Sequence, residues 1–144
     1  MTGATEATVS VLLVDDEPLI RAGLRLVLDG AAGLRIVGEA SDGLEGVRLA
    51  RELRPDVVLM DVRMPRCDGV EATRLVRDLP DAPAVVVLTA FDTDQFVVGA
   101  LRAGAAGFLL KHTPPPQLVD AVRQAAAGTM SFTPGVLRHL VDAA

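Results

Sequence analysis

The chain has no tryptophan, no tyrosine and only four phenylalanines among 144 residues, so it offers little to stack against a flat cofactor such as a flavin. Its single cysteine, Cys67, excludes an internal disulfide. No apolar run approaches the roughly 18 residues that a membrane-spanning helix needs. The start, Met1-Thr2-Gly3-Ala4-Thr5-Glu6, has neither the basic flank nor the apolar stretch of a secretion signal. Basic residues are in deficit: 14 Lys and Arg stand against 19 Asp and Glu, for a net charge of −5. Without a basic stripe, this stretch is a poor binder of nucleic-acid phosphates by itself. The expectation is a soluble, cytoplasmic, single-domain protein with no membrane partner. Half of the residues are hydrophobic, enough for such a domain to fold on its own core.

What the chain does have is four short apolar runs that each stop at a residue able to handle a phosphate. Val11 to Val14 stops at Asp15 and Asp16, Val57 to Met60 at Asp61, Val85 to Leu88 at Thr89, and Phe108 to Leu110 at Lys111. Helical segments separate them. Glu17 to about Leu28 carries Ile20, Leu24, Val27 and Leu28 on one stripe, with Pro18 in its first turn. Asp42-Gly43 opens a second helix to about Leu53, and Asp68-Gly69 a third with Ala72, Leu75 and Val76 at i, i+3 and i+4. Asp92-Thr93-Asp94 is expected to cap a fourth, through Ala103, and Pro114-Pro115-Pro116 precedes a fifth with Leu118, Ala121, Val122 and Ala125 on one face. A weaker, half-polar run, Leu34 to Val37, reads as an edge strand, and Gly38-Glu39 after it carries no catalytic-looking group.

Strands alternating with helices, joined by right-handed crossovers, predict an α/β fold: a doubly wound, five-stranded parallel sheet in the order 2-1-3-4-5, (βα)5 and flavodoxin-like. Residues 1–8 read as a flexible tail, 9–127 as the domain, and 128–144 as a linker entering a further helix. In open sheets of this kind ligands bind outside the carboxyl ends of the strands. Three carboxylates, a hydroxyl and an ammonium would then meet at one edge.

Carboxylates about 4 Å apart repel by about 4 kcal/mol per pair at an effective dielectric near 20, so something positive is needed among Asp15, Asp16 and Asp61. Mg²⁺ (or Mn²⁺) fits, since it takes one or two protein carboxylates and keeps waters and a substrate phosphate. Lys111 adds a fixed positive charge and Thr89 a donor. These are the parts of a phosphoryl-transfer site, in which Asp61, alone at the end of a central strand, is the best candidate acceptor. Each residue also has a plain reading: Asp15 or Asp16 as a helix cap, Asp61 as a loop carboxylate, Thr89 as a strand-end hydroxyl, Lys111 as a solvated lysine. Their joint occurrence at four strand ends favours the functional reading. Cys67, His112 and His139 have no surrounding motif and read as a bystander thiol and two exposed histidines.

The segments Leu12-Leu13-Val14-Asp15-Asp16-Glu17-Pro18, Asp61 to Gly69, Leu88-Thr89-Ala90 and Gly104 to Lys111 resemble the receiver domain of two-component response regulators over residues 9–127. By that resemblance Asp61 accepts a phosphoryl group from a sensor histidine kinase, and Asp15, Asp16, Asp61 and the backbone carbonyl of Arg63 bind Mg²⁺. Thr89 and Phe108 would be the switch residues, and the domain would be a signalling module rather than an enzyme. The Pro-Pro-Pro-Gln-Leu stretch and the tail from Gly128 resemble the NarL/FixJ (LuxR-type) branch. That likeness implies DNA binding and transcription control through a C-terminal helix-turn-helix domain absent from these residues, and a possible homodimer. A stand-alone receiver acting through protein contacts and a pseudo-receiver working without phosphorylation are the alternatives. A family departure follows Lys111: His112 stands where many receivers have a cis proline. A cis bond there would cost about 3 kcal/mol, so a trans bond is expected. An FMN carrier would be repelled by Asp15-Asp16-Glu17, and a phosphatase of the haloacid dehalogenase type would leave Asp61 unexplained.

Overall fold

The structure, a computed structural model, describes residues 8–64, 67–90, 94–129 and 131–132, with the backbone alone for 94–96 and 131–132. Five parallel strands, β1 (Val9–Val14), β2 (Leu34–Ala40), β3 (Val57–Asp61), β4 (Ala84–Thr89) and β5 (Gly107–Leu110), lie in the order 2-1-3-4-5. Five helices connect and follow them: α1 (Pro18–Asp29), α2 (Gly43–Leu53), α3 (Gly69–Arg77), α4 (Asp94–Arg102) and α5 (Pro115–Ala126). The strands of the centre are apolar on both faces because both faces are covered. Leu12, Val14, Val58, Met60, Val85, Val87 and Phe108 share one core with residues of α2, α3 and α4. Val11, Leu13, Val57, Leu59, Val86 and Leu109 share the other with α1 and α5.

Helices α2 and α3 start where their caps predict. The carboxylates of Asp42 and Asp68 accept from the amides of Glu45 and Glu71 at 2.8 and 2.9 Å. Prolines sit in the first turns of α1 and α5, where a missing N–H costs nothing. The run of prolines thus enters α5 instead of only preceding it. No peptide bond of the described residues is cis, so His112 is trans to Lys111 as expected. No described helix is long and apolar enough to cross a membrane.

Two features depart from the sequence reading. β2 runs on through Gly38 and Glu39 to Ala40, and its register on β1 slips by one residue: Val11 faces Ile36, but Leu12 faces Gly38. Val37 is the extra residue of a bulge. Beyond α5, Ser131–Phe132 form a short sixth strand, β6, parallel to β5, with Phe132 opposite Phe108. Two residues without periodicity give no strand signal, and here they add to an edge. The eight-residue tail falls outside the described residues except for Thr8, and residues 133–144, including His139 and the expected further helix, fall outside entirely. So do Asp92 and Thr93 of the expected cap on α4.

Candidate functional site

Asp15 follows β1 directly, Asp61 and Thr89 are the last residues of β3 and β4, and Lys111 follows β5, so parallel pairing brings all four to one end of the sheet. Carboxylate oxygens of Asp15, Asp16 and Asp61 lie within 4.8 Å of one another, with Asp15 and Asp61 buried and Asp16 exposed. The Lys111 ammonium sits among them, 3.0 Å from Asp15 Oδ2, 3.3 Å from Asp61 Oδ1 and 3.5 Å from Glu17 Oε1. Lys111 thus pairs with three carboxylates, Asp16 adds a fourth beside them, and the surplus is negative.

The helix-cap reading of Asp15 does not hold. The N-cap of α1 is Glu17, whose side chain makes no cap bond. The Asp15 carboxylate instead accepts from the Glu17 amide at 2.9 Å through Oδ1 and pairs with Lys111 through Oδ2. Burial pushes Asp61 up to about 6, Asp15 pushes in the same direction, and Lys111 only partly offsets them. Burial works against the Lys111 ammonium, but Asp15 and Asp61 prevail and hold its pKa above the usual lysine range. In the metal-free protein, Lys111→Ala therefore raises the titration midpoint of the Asp61 carboxyl carbon and Asp15→Asn lowers it. Nuclear magnetic resonance titration that finds neither movement contradicts this electrostatic account.

Thr89 is buried at the end of β4, and its carbonyl accepts from the Lys111 amide at 2.7 Å, which ties the two strand ends together. Phe108 is fully buried in the core that includes Val87, Val97, Ala100 and Ala105. Arg63 lies in the loop after β3 with its side chain exposed. Cys67 is buried near the start of α3, and burial raises its thiol. His112 is exposed.

Three contributors escaped the sequence reading. Glu17 reaches Lys111. Gly69 lies so close to the Asp61 backbone that a Cβ there would fall 1.9 Å from the Asp61 carbonyl oxygen. Arg21 of α1 donates a guanidinium N–H to the Asp15 carbonyl and is itself paired with Glu39 at 3.1 Å. The periodicity of α1 marks Arg21 only as a non-core position, and nothing in the sequence marks the bulge that aims Glu39.

The donor set suits a small hard cation: several carboxylate oxygens converge, one of them open to solvent, with a net negative charge to neutralise. A cation held there, together with the ammonium 3.3 Å from Asp61, would offset the charge of an anionic ligand at this edge.

Comparison with known proteins gives the same family. The response regulator receiver domain family matches residues 11–123. The chain is 45% identical over 124 residues to the uncharacterized transcriptional regulatory protein YxjL of Bacillus subtilis, covering 86% of this chain and 57% of that one. It is 40% identical over 121 residues to the nitrate/nitrite response regulator NarL of Escherichia coli, covering 84% and 56%. The chain thus spans a little over half the length of these curated relatives. Among solved structures, a LuxR-family two-component response regulator from Aurantimonas superposes with a TM-score of 0.88 at 34% identity, over 94% of this chain and 97% of that one. The receiver domain of the putative response regulator NarL from Mycobacterium tuberculosis gives 0.82 at 38% identity, over 85% and 99%. With fold, family match and relatives in agreement, the chain belongs to the receiver domains of two-component response regulators, of the NarL/LuxR type.

Proposed function

We propose that Asp61 is the phosphoacceptor and takes a phosphoryl group from the phosphohistidine of a sensor histidine kinase. The observation that carries this reading is the convergence of Asp15, Asp16 and Asp61 at the carboxyl end of the sheet, with Lys111 paired to Asp15 and Asp61. An oxygen of the Asp61 carboxylate attacks phosphorus, the phosphorus–nitrogen bond to the imidazole breaks, and the imidazole leaves with a proton. Asp15, Asp16, Asp61 and the Arg63 carbonyl would hold Mg²⁺ (or Mn²⁺), which when bound neutralises charge on the transferred oxygens. Lys111 is placed to shift from the Asp61 carboxylate to an oxygen of the new aspartyl phosphate. The Thr89 hydroxyl supplies a second donor to it.

The switch follows from the added charge. A phosphoryl group brings new acceptor oxygens where a carboxylate was, so Lys111 and Thr89 are drawn toward it, and the movement passes to β5 and α5. Phe108, already inside the core and paired with Val87 two residues before Thr89, is the second switch residue in this reading. An apolar groove of about 270 Å³ between α1 and the β5–α5 loop, lined by Leu19, Ile20, Leu24, Lys111 and Pro115, gives the donor protein an apolar surface beside the pocket. Residues 9–127 form the phosphoacceptor unit. The relatives' names as transcriptional regulators support transcription control as the output, which in this reading runs through a DNA-binding helix-turn-helix domain, with a homodimer as a further partner state.

Acetyl phosphate with Mg²⁺ adds one phosphoryl group to this protein, and excess EDTA stops the addition while leaving the far-ultraviolet circular dichroism unchanged. Phosphorylation that persists in EDTA contradicts the proposed metal dependence.

A further inference from the structure

The backbone of Asp15 is held from two sides, and both holds trace to the bulge at Val37. In a parallel pair, residues opposite one another point to the same face, and a one-residue slip sends every later side chain to the other face. With the bulge, Glu39 pairs with Leu13, whose side chain belongs to the α1 and α5 face. Without it, Glu39 would pair with Val14 and point to the α2 face, away from α1. The bulge therefore aims Glu39 at α1.

Two arginines one turn apart on α1 meet it there. Arg25 donates to Glu39 Oε2 at 2.8 Å through Nε, and Arg21 donates to Glu39 Oε1 at 3.1 Å. Arg25 thereby holds the Glu39 carboxyl below its usual range, so Glu39 stays ionised. Arg21 is mostly buried, and its second N–H goes to the carbonyl of Asp15. The Asp15 amide meanwhile donates to the Ala40 carbonyl at 3.0 Å, the bond that closes the β1–β2 ladder after the bulge. Both polar groups of the Asp15 backbone are thus fixed by β2, one directly and one through Arg21. Its carboxylate is left to meet Lys111 and the acidic cluster.

We propose that Arg21, oriented by Glu39, is a positioning residue for Asp15, and that it sets the affinity of the acidic cluster for a divalent cation. This rests on the metal-site reading above. A plain tie between α1 and β2 would stabilise the fold without touching cation affinity, and the two roles separate in solution. Isothermal titration of Mg²⁺ into the native protein, Arg21→Ala, Arg21→Lys and Glu39→Gln is read beside urea unfolding of the same proteins in EDTA. For Arg21→Ala the Mg²⁺ dissociation constant rises about tenfold, as outer partners of metal ligands do. Arg21→Lys recovers part of the loss, since one N–H can still reach the carbonyl. Glu39→Gln weakens binding by a smaller factor, and it keeps the test available if Arg21→Ala fails to fold. Unchanged Mg²⁺ affinity in the folded variants, with stability alone reduced, overturns the positioning role. A native protein that binds no Mg²⁺, or that binds it equally well as Asp15→Asn, overturns the metal-site reading itself and this inference with it.

Discussion

Asp61→Asn is expected to stabilise the metal-free protein at neutral pH by about 2 kcal/mol. Asp61 is buried beside Asp15, and its carboxyl is raised from 3.8 to about 6. A shift of that size corresponds to about 3 kcal/mol at full weight, and water reaching the pocket beside exposed Asp16 reduces it to about 2 kcal/mol. The sign is set by linkage. A carboxyl raised on folding favours the native state while protonated, so its contribution is present below about pH 4 and is lost as the pH rises through about 6. Asn removes that loss. Urea unfolding in EDTA therefore shows a clear gain for the variant at pH 7.5 and almost none at pH 4. Adding Mg²⁺ reverses the order, because the cation stabilises whichever protein binds it better. An equal gain at both pH values would show that the site is not strained by buried negative charge. Strain of this kind is expected at a site built for a ligand that arrives later.

Gly69→Ala is expected to destabilise the protein by about 3 kcal/mol or more, the upper range for forced overpacking. A Cβ at Gly69 would lie 1.9 Å from the Asp61 carbonyl oxygen and 2.8 Å from the Val62 Cα. These are backbone atoms, which cannot rotate away. The Gly69 amide also donates to the Val62 carbonyl at 2.8 Å, so moving the first turn of α3 breaks that bond or displaces Asp61. The folded fraction of Gly69→Ala should accordingly bind Mg²⁺ more weakly than the native protein. Gly23→Ala is the control: nothing lies within 4 Å of a Cβ there, and the helix interior gains about 0.5–1 kcal/mol from alanine. Equal stability of the two variants in urea would contradict the close approach at α3.

Those two glycines mark the limit of what can be read in the sequence. Both look alike as letters in or beside a helix, and only the path of the chain after β3 separates them. The central strands were legible because burial on both faces demands continuous apolar runs such as Val57-Val58-Leu59-Met60. The starts of α2 and α3 were legible because Asp42 and Asp68 are caps with a glycine behind them. Asp15, Asp16, Asp61, Thr89 and Lys111 stood out because each ends a strand, and a parallel sheet gathers those ends. The Val37 bulge was not legible. A one-residue slip leaves no compositional trace, and it turned Glu39 from a residue without a role into the anchor of Arg21. β6 was hidden for a different reason: an edge strand of two residues is held by backbone bonds to β5, and such bonds place no demand on side-chain pattern.

The identity of Asp61 as the phosphoacceptor is the claim on which the rest depends, and intact-mass spectrometry after incubation with acetyl phosphate and Mg²⁺ tests it most directly. The native protein is predicted to gain the mass of one phosphoryl group, lose it on treatment with hydroxylamine as an acyl phosphate does, and show none in the Asp61→Asn variant. An adduct of the same stoichiometry on folded Asp61→Asn, or none on the native protein, would contradict the account.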